Sequence, residues 1–113
     1  MHELSITQGV IEIVNSEAEK RHFQRVLEIR LRVGEYSGLI PECIREFFPI
    51  AAKGSIAENA ELVIEPIKAE FECMDCGYKG AIDRKTAACP LCGSEAIHMT
   101  SGREFFVDTL KVE

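Results

Sequence analysis

The chain has 113 residues, of which 46% are hydrophobic and 28% charged, with a formal net charge of −6. That size suits one domain, or a small domain with a module attached, and buries roughly two-thirds of the unfolded surface. The acidic balance argues against nucleic acid as a partner, because phosphate binding needs a basic face. No apolar run approaches the about 20 residues of a membrane span. The first residues lack the basic-then-apolar pattern of a secretory signal, so a cytoplasmic location is expected.

Residues 4–20 read as an amphipathic helix, with Leu4, Ile11, Val14 and Ala18 on the inward face. Ser5 and Gln8 have the spacing of a capping box. Residues 26–33 alternate as a strand does, which points Leu27, Ile29, Leu31 and Val33 at a core and Glu28, Arg30 and Arg32 at water. A loop over Gly34–Leu39 leads to a second helix opened by Pro41, with Ile40, Ile44, Phe47, Phe48 and Ala51 buried. Pro49 should kink or restart that helix, and Gly54 should stop it. Leu62, Ile64 and Ile67 mark a second strand running on toward Phe71. After Gly102, Phe-Phe-Val-Asp-Thr-Leu-Lys-Val reads as a last strand, with Leu110 and Val112 on one face.

A lone terminal strand needs a sheet to join, and the alternating strand at 26–33 belongs to the first region. The cysteine-bearing segment is therefore an insertion. The expected fold is α+β: a small mixed sheet of about three strands with two helices, plus an inserted zinc-ribbon-like module. The larger domain would be 1–69 with 101–113, and the module 70–100.

Four of the five cysteines form two Cys-x-x-Cys pairs, Cys73/Cys76 and Cys89/Cys92, twelve residues apart. Two-residue spacing lets both thiolates of a tight turn face one ion, and two such turns complete a tetrahedral sulfur shell. A filled shell is structural rather than catalytic. It supplies folding energy, about 10–16 kcal/mol for zinc in small finger peptides. Zinc is the expected ion. Iron in a rubredoxin-like site suits the same knuckles, but an iron carrier leaves the attached domain unexplained.

At the other end, the Met1 amine, the His2 amide nitrogen and the His2 imidazole can close two fused rings on one ion. The Glu3 amide or carboxylate is the next donor. Planar nitrogen and oxygen sets suit Ni(II) or Cu(II). On the residues alone, a solvated terminal histidine is the plainer reading.

Met-His-Glu-Leu-Ser at the start, the two cysteine pairs ahead of a last strand, Arg-Leu-Arg-Val-Gly-Glu-Tyr-Ser-Gly at 30–38, and Gly102 followed by Glu104 occur together in this order. In this set the chain resembles the HypA/HybF family of hydrogenase maturation nickel metallochaperones. The resemblance spans the chain, with Pro49 as a local departure. It implies a nickel-binding domain of two helices and three strands with a zinc domain inserted. It implies nickel at His2 with Glu3 alongside, and zinc at Cys73, Cys76, Cys89 and Cys92. It also implies delivery of nickel to the large subunit of [NiFe] hydrogenase, together with a HypB-type GTPase.

His98 lies where the chain returns from the module, so a swing of the module could bring it toward His2 as a nickel ligand. A surface histidine beside a hairpin is the simpler account. Glu19-x-x-His22 and Glu95-x-x-His98 have the spacing of di-iron carboxylate bundles, but such a site needs four long helices and the chain offers two. His22 reads as solvated and Cys43 as a small buried residue. No phosphate loop or nucleophile setting appears, so the chain is expected not to be an enzyme. A zinc-ribbon interaction module without labile metal stands as the alternative function.

Overall fold

The computed structural model describes residues 3–113, so expectations that fall on Met1 and His2 lie outside the described residues. The central element is β1 (Val26–Gly34). It pairs in parallel with β2 (Glu61–Ile67) and antiparallel with β6 (Phe105–Val112), giving the order β2-β1-β6. Ile29, Leu31 and Val33 are buried as the alternation requires. The start of the strand departs from it. A register shift against β6 between Val26 and Glu28 turns Val26 inward and leaves Leu27 41% exposed. An irregularity of this kind reverses which side chains face the core.

Glu28, expected to face water, is buried. It lies 3.7 Å from Lys111 Nζ and 3.6 Å from the Arg30 guanidinium, and Arg30 also pairs with Glu65. The charges thus run across all three strands, where opposite signs on neighbouring strands support the pairing.

Both helices join the same core as the sheet. Helix α1 (Glu3–Arg21) buries Thr7, Val10, Ile11 and Val14. Ile11 and Val14 are buried as expected, but Leu4 is 40% exposed, and Thr7 and Val10 complete the inward face. Ser5 lies inside the helix, so Ser5 and Gln8 do not form its capping box. Helix α2 (Pro41–Ala52) opens with Pro41 in its first turn and buries Ile44, Phe48 and Ala52. Ile40, expected inside, is half exposed. The helix runs on through Pro49. Pro49 is exposed and three residues from the helix end, so the missing N–H removes a single bond from the last turn. The core joins Val10, Ile11 and Val14 of α1 to Ile44 and Phe48 of α2 and Ile29, Leu31 and Val33 of β1.

The second strand does not run on to Phe71. β2 ends at Ile67, and after Lys68 and Ala69 the chain starts β3 (Glu70–Cys73) in a different sheet. There β3 lies between β4 (Lys79–Gly80) and β5 (Ile97–Ser101), both antiparallel to it. The break follows from crowding at Gly34. A Cβ there would collide with the Gly102 carbonyl, and one on Gly102 (φ +118°) would lie 2.7 Å from Ala69 Cα. Three backbone segments meet where only glycine lets them pass. Leu110 of β6 packs against the core, while Val112 near the strand end is 41% exposed.

Ile44 is fully buried between the helices and the sheet. Ile44→Ala should cost about 2–5 kcal/mol, read as a lower urea midpoint with an unchanged slope.

Candidate metal centre

Each Cys-x-x-Cys pair is folded by the same main-chain pattern. The Cys73 N–H donates to the Tyr78 carbonyl (2.8 Å), and the Gly77 N–H returns to the Cys73 carbonyl (3.0 Å). The Cys89 N–H donates to the Ser94 carbonyl (2.8 Å), and the Gly93 N–H returns to the Cys89 carbonyl (2.9 Å). Gly77 (φ +80°) and Gly93 (φ +74°) sit where the turn needs a left-handed residue. The two knuckles are joined by the Met74 N–H on the Ala96 carbonyl (2.8 Å) and by the Ser94 hydroxyl on the Asp75 carboxylate.

This brings all four Sγ atoms of Cys73, Cys76, Cys89 and Cys92 within 4.8 Å of one another. Cys73 and Cys92 sulfurs are 3.6 Å apart, and Cys76 and Cys89 sulfurs 3.5 Å apart. A tetrahedral ion with sulfur at about 2.3 Å requires edges of about 3.8 Å, so the cluster fits a tetrathiolate ion with little adjustment. Cys73 and Cys89 are buried, and Cys76 and Cys92 are exposed.

The thiols differ in acidity for local reasons. N–H groups of Cys76 and Asp75 aimed at the Cys73 sulfur lower its pKa against the effect of burial. Burial disfavours the Cys89 thiolate, but the Cys92 and Leu91 N–H groups and the Cys76 thiol outweigh it, and the pKa falls to about 7. At Cys76 the Tyr78 N–H favours the thiolate, yet partial loss of water around the sulfur and the neighbouring sulfurs push the thiol up to about 12. Cys92 is raised as well: the Ser94 N–H favours its thiolate, and partial loss of water around the sulfur and the Cys73 thiol overcome that. Each close sulfur pair thus couples a more acidic thiol to a less acidic one. A divalent cation removes the reason to keep the remaining protons, because its charge stabilises every thiolate at once.

Among the described residues, these four cysteines are the only cluster of three or more His, Cys, Asp or Glu side chains able to hold one ion. His98 is exposed on β5, opposite Glu72 in the pairing with β3. His22 closes α1 in a left-handed conformation (φ 62°), its N–H donating to the Ala18 carbonyl; that helix-stop role was missed in the sequence, where histidine is a weak signal for it. Cys43 is half-buried on α2.

Glu3 is buried at the start of α1. Its Oε2 accepts from the Ile40 N–H (3.2 Å) at the head of α2, and its carbonyl accepts from the Thr7 hydroxyl (2.5 Å). The Glu3 N–H above all, with a smaller contribution from the Ile40 N–H, helps hold its carboxyl below the ordinary 4.5 against the effect of burial.

A family model described as hydrogenase/urease nickel incorporation, metallochaperone, HypA, matches residues 1–112. The chain belongs to the HypA family. It is similar to the hydrogenase maturation factor HypA of Caldanaerobacter subterraneus subsp. tengcongensis, 36% identical over 114 residues and covering all of both chains. It is likewise similar to the factor of that name from Methylocella silvestris, 38% identical over 113 residues with the same full coverage. In fold, it is similar to a solution structure of the Ni metallochaperone HypA from Helicobacter pylori. That pair has a TM-score of 0.71 and 24% identity, covering 99% of this chain and 97% of the other. A second HypA solution structure has a TM-score of 0.76 at 24% identity, covering 100% and 97%. The chain is thus a nickel metallochaperone of hydrogenase maturation that carries a four-cysteine metal site. Its relatives are named as hydrogenase maturation factors. Among the described residues, no helix is long and apolar enough to cross a membrane.

Zinc uptake by the metal-free protein at pH 7 should release the protons of Cys76 and Cys92, seen as a buffer-dependent heat in titration calorimetry. Cys92→Ser should weaken zinc binding while the helical circular dichroism of α1 and α2 remains. Glu3 supplies a second test. Its lowered carboxyl stabilises the fold above the unfolded-state pKa and loses that contribution as pH falls through the folded value. Glu3→Gln should therefore lower Tm at pH 7, and the difference from wild type should disappear on strong acidification.

Proposed function

We propose that this HypA protein carries Ni(II) at its amino terminus and hands it to the large subunit of [NiFe] hydrogenase, with Zn(II) held structurally by Cys73, Cys76, Cys89 and Cys92. The observation that carries this reading is the family match, which begins at residue 1 and so includes the Met1-His2-Glu3 start. The cargo set is the Met1 amine, the His2 amide nitrogen and imidazole, and Glu3 through its main chain or carboxylate. Rooting of Glu3 by Ile40 and Thr7 supports it, because it gives a terminal chelate one fixed end.

The chemistry of the two donor sets favours this division. Four thiolates fill a tetrahedral shell and tie the ion to folding, which suits a resident ion and not a cargo. A terminal chelate has few contacts fixing its geometry and exchanges more readily. His98, exposed on β5, is the candidate extra nickel ligand in a rearranged state. In this proposal residues 1–69 with 101–113 form the nickel-binding domain and 70–100 the zinc-binding module. The protein acts in the cytoplasm with a HypB-type GTPase, without nucleic acid or membrane.

Docking by the module is favoured by one feature. Each knuckle carries a large exposed apolar side chain, Met74 at 64% and Leu91 at 74%. Exposed apolar groups of this size beside a rigid metal knuckle suit contact with another protein.

Metal analysis of the untagged protein tests the assignment. Wild type should hold one zinc per chain and take up one further Ni(II) without losing the zinc. His2→Ala, or an extension ahead of Met1, should abolish the nickel and keep the zinc. Nickel should leave as pH falls toward roughly 6, where a free imidazole protonates. Nickel binding that survives His2→Ala unchanged would remove the terminal chelate. In cells, His2→Ala should give stable protein and a nickel-free hydrogenase large subunit at limiting nickel; full hydrogenase activity there would remove the cargo role.

A further inference from the structure

The two sheets are joined by little besides the chain itself. No residue between 70 and 101 belongs to the hydrophobic core that α1, α2 and β1 build. The chain crosses twice, outward at Lys68–Ala69 and back at Gly102–Glu104, and the molecule is drawn out to 54 × 27 × 17 Å. Units joined by so small an interface move relative to each other unless something specific holds them.

The turn that follows β1 supplies that hold. Its main chain grips both crossings: the Glu35 N–H donates to the Ile67 carbonyl (3.0 Å), and the Tyr36 N–H to the Gly102 carbonyl (2.7 Å). The Glu35 carboxylate accepts from the Ala69 N–H (3.2 Å). These contacts hold the crossing point, not the module beyond it. The module is met by the side chains of Tyr36 and Glu35. The Tyr36 ring meets Phe71 of β3 edge-on, with centroids 6.1 Å apart. The Arg84 guanidinium, from the loop between β4 and Cys89, lies 4.4 Å from the centre of the Tyr36 ring and 3.9 Å from Glu35 Oε2. Arg84 is presented by an ordered turn, in which Asp83 accepts from the Lys85 N–H (2.8 Å) and the Ala87 N–H (2.9 Å).

We propose that Glu35, Tyr36 and Arg84 form a latch that fixes the orientation of the four-cysteine module, and that releasing it lets the module pivot about the Gly34–Gly102 crossing. Cation–π contacts and exposed ion pairs are weak individually. Arg84 is two-thirds exposed, so the latch can be opened without breaking either core. Opening also spares the crossing, because the bonds from Glu35 to Ile67 and Ala69 do not involve Arg84. The orientation so fixed sets where Met74 and Leu91 are presented. It does not depend on which ion the amino terminus carries.

Residual dipolar couplings of the full-length zinc-loaded protein test the latch. In wild type one alignment tensor should fit residues 26–67 with 105–112 and residues 70–101 together. In Arg84→Ala the two groups should require different tensors, with zinc content and each unit's own chemical shifts retained. Tyr36→Phe keeps the ring face and should keep the common tensor, while Tyr36→Leu should lose it. A common tensor in both Arg84→Ala and Tyr36→Leu would overturn the latch, as would separate tensors in wild type.

Discussion

Everything in the larger unit depends on β1 having a strand on each side. Ile29, Leu31 and Val33 are buried in the core, and a strand so placed must satisfy its N–H and C=O groups through both edges. β2 takes one edge in parallel, which demands a crossover, and α2 supplies it while covering the core. β6 takes the other edge, antiparallel, but only after the chain has built the cysteine module and returned. The module must therefore begin and end at nearly the same point. The close passage of Gly34, Gly102 and Ala69 is the physical result.

The module answers a different constraint. Its segment has few apolar side chains, and only Phe71, Cys73 and Cys89 are buried within it. So small a segment cannot offset its conformational entropy by apolar burial. Four thiolates placed to hold one ion offer a substitute for a core. The two knuckles prepare for this by aiming N–H groups at sulfur and by placing glycine where the turn becomes left-handed. The result is a unit that takes no part in the hydrophobic core of the helices and the first sheet.

That separation suits a metallochaperone. Four thiolates closed around one ion suit a resident metal rather than a cargo, and a module without a shared core can change its orientation without unfolding its neighbour. Glu3 links the two concerns at the amino-terminal end. Its carboxylate sits at the head of α2, where the N–H groups of the helix start favour a negative charge, and it ties the first residue of α1 to the core. Glu3, itself a donor in the proposed cargo set, is thereby anchored to the head of α2.

The sequence by itself determined the features that local chemistry dictates. Cys-x-x-Cys spacing and its following glycines specify a metal knuckle within five residues, and strict alternation specifies β1. Pro41 specifies a helix start because its fixed φ suits the first turn. The α+β class followed from these elements, and the need of the last strand for a partner pointed to β1. Only the tertiary structure decided what depends on distant partners. Glu28 is buried because Lys111, 83 positions later, comes to neutralise it. Val26 replaces Leu27 inside because a register shift against β6 reverses the pleat. The strand at 61–67 stops short of Phe71 because Gly34 and Gly102 cross beside Ala69. Glu35 and Tyr36, quoted in the sequence without a structural task, acquire one only where the chain crosses between the sheets and meets Ile67, Ala69, Gly102 and Arg84. Such contacts join residues far apart in the chain, and no periodicity or spacing within either segment encodes them.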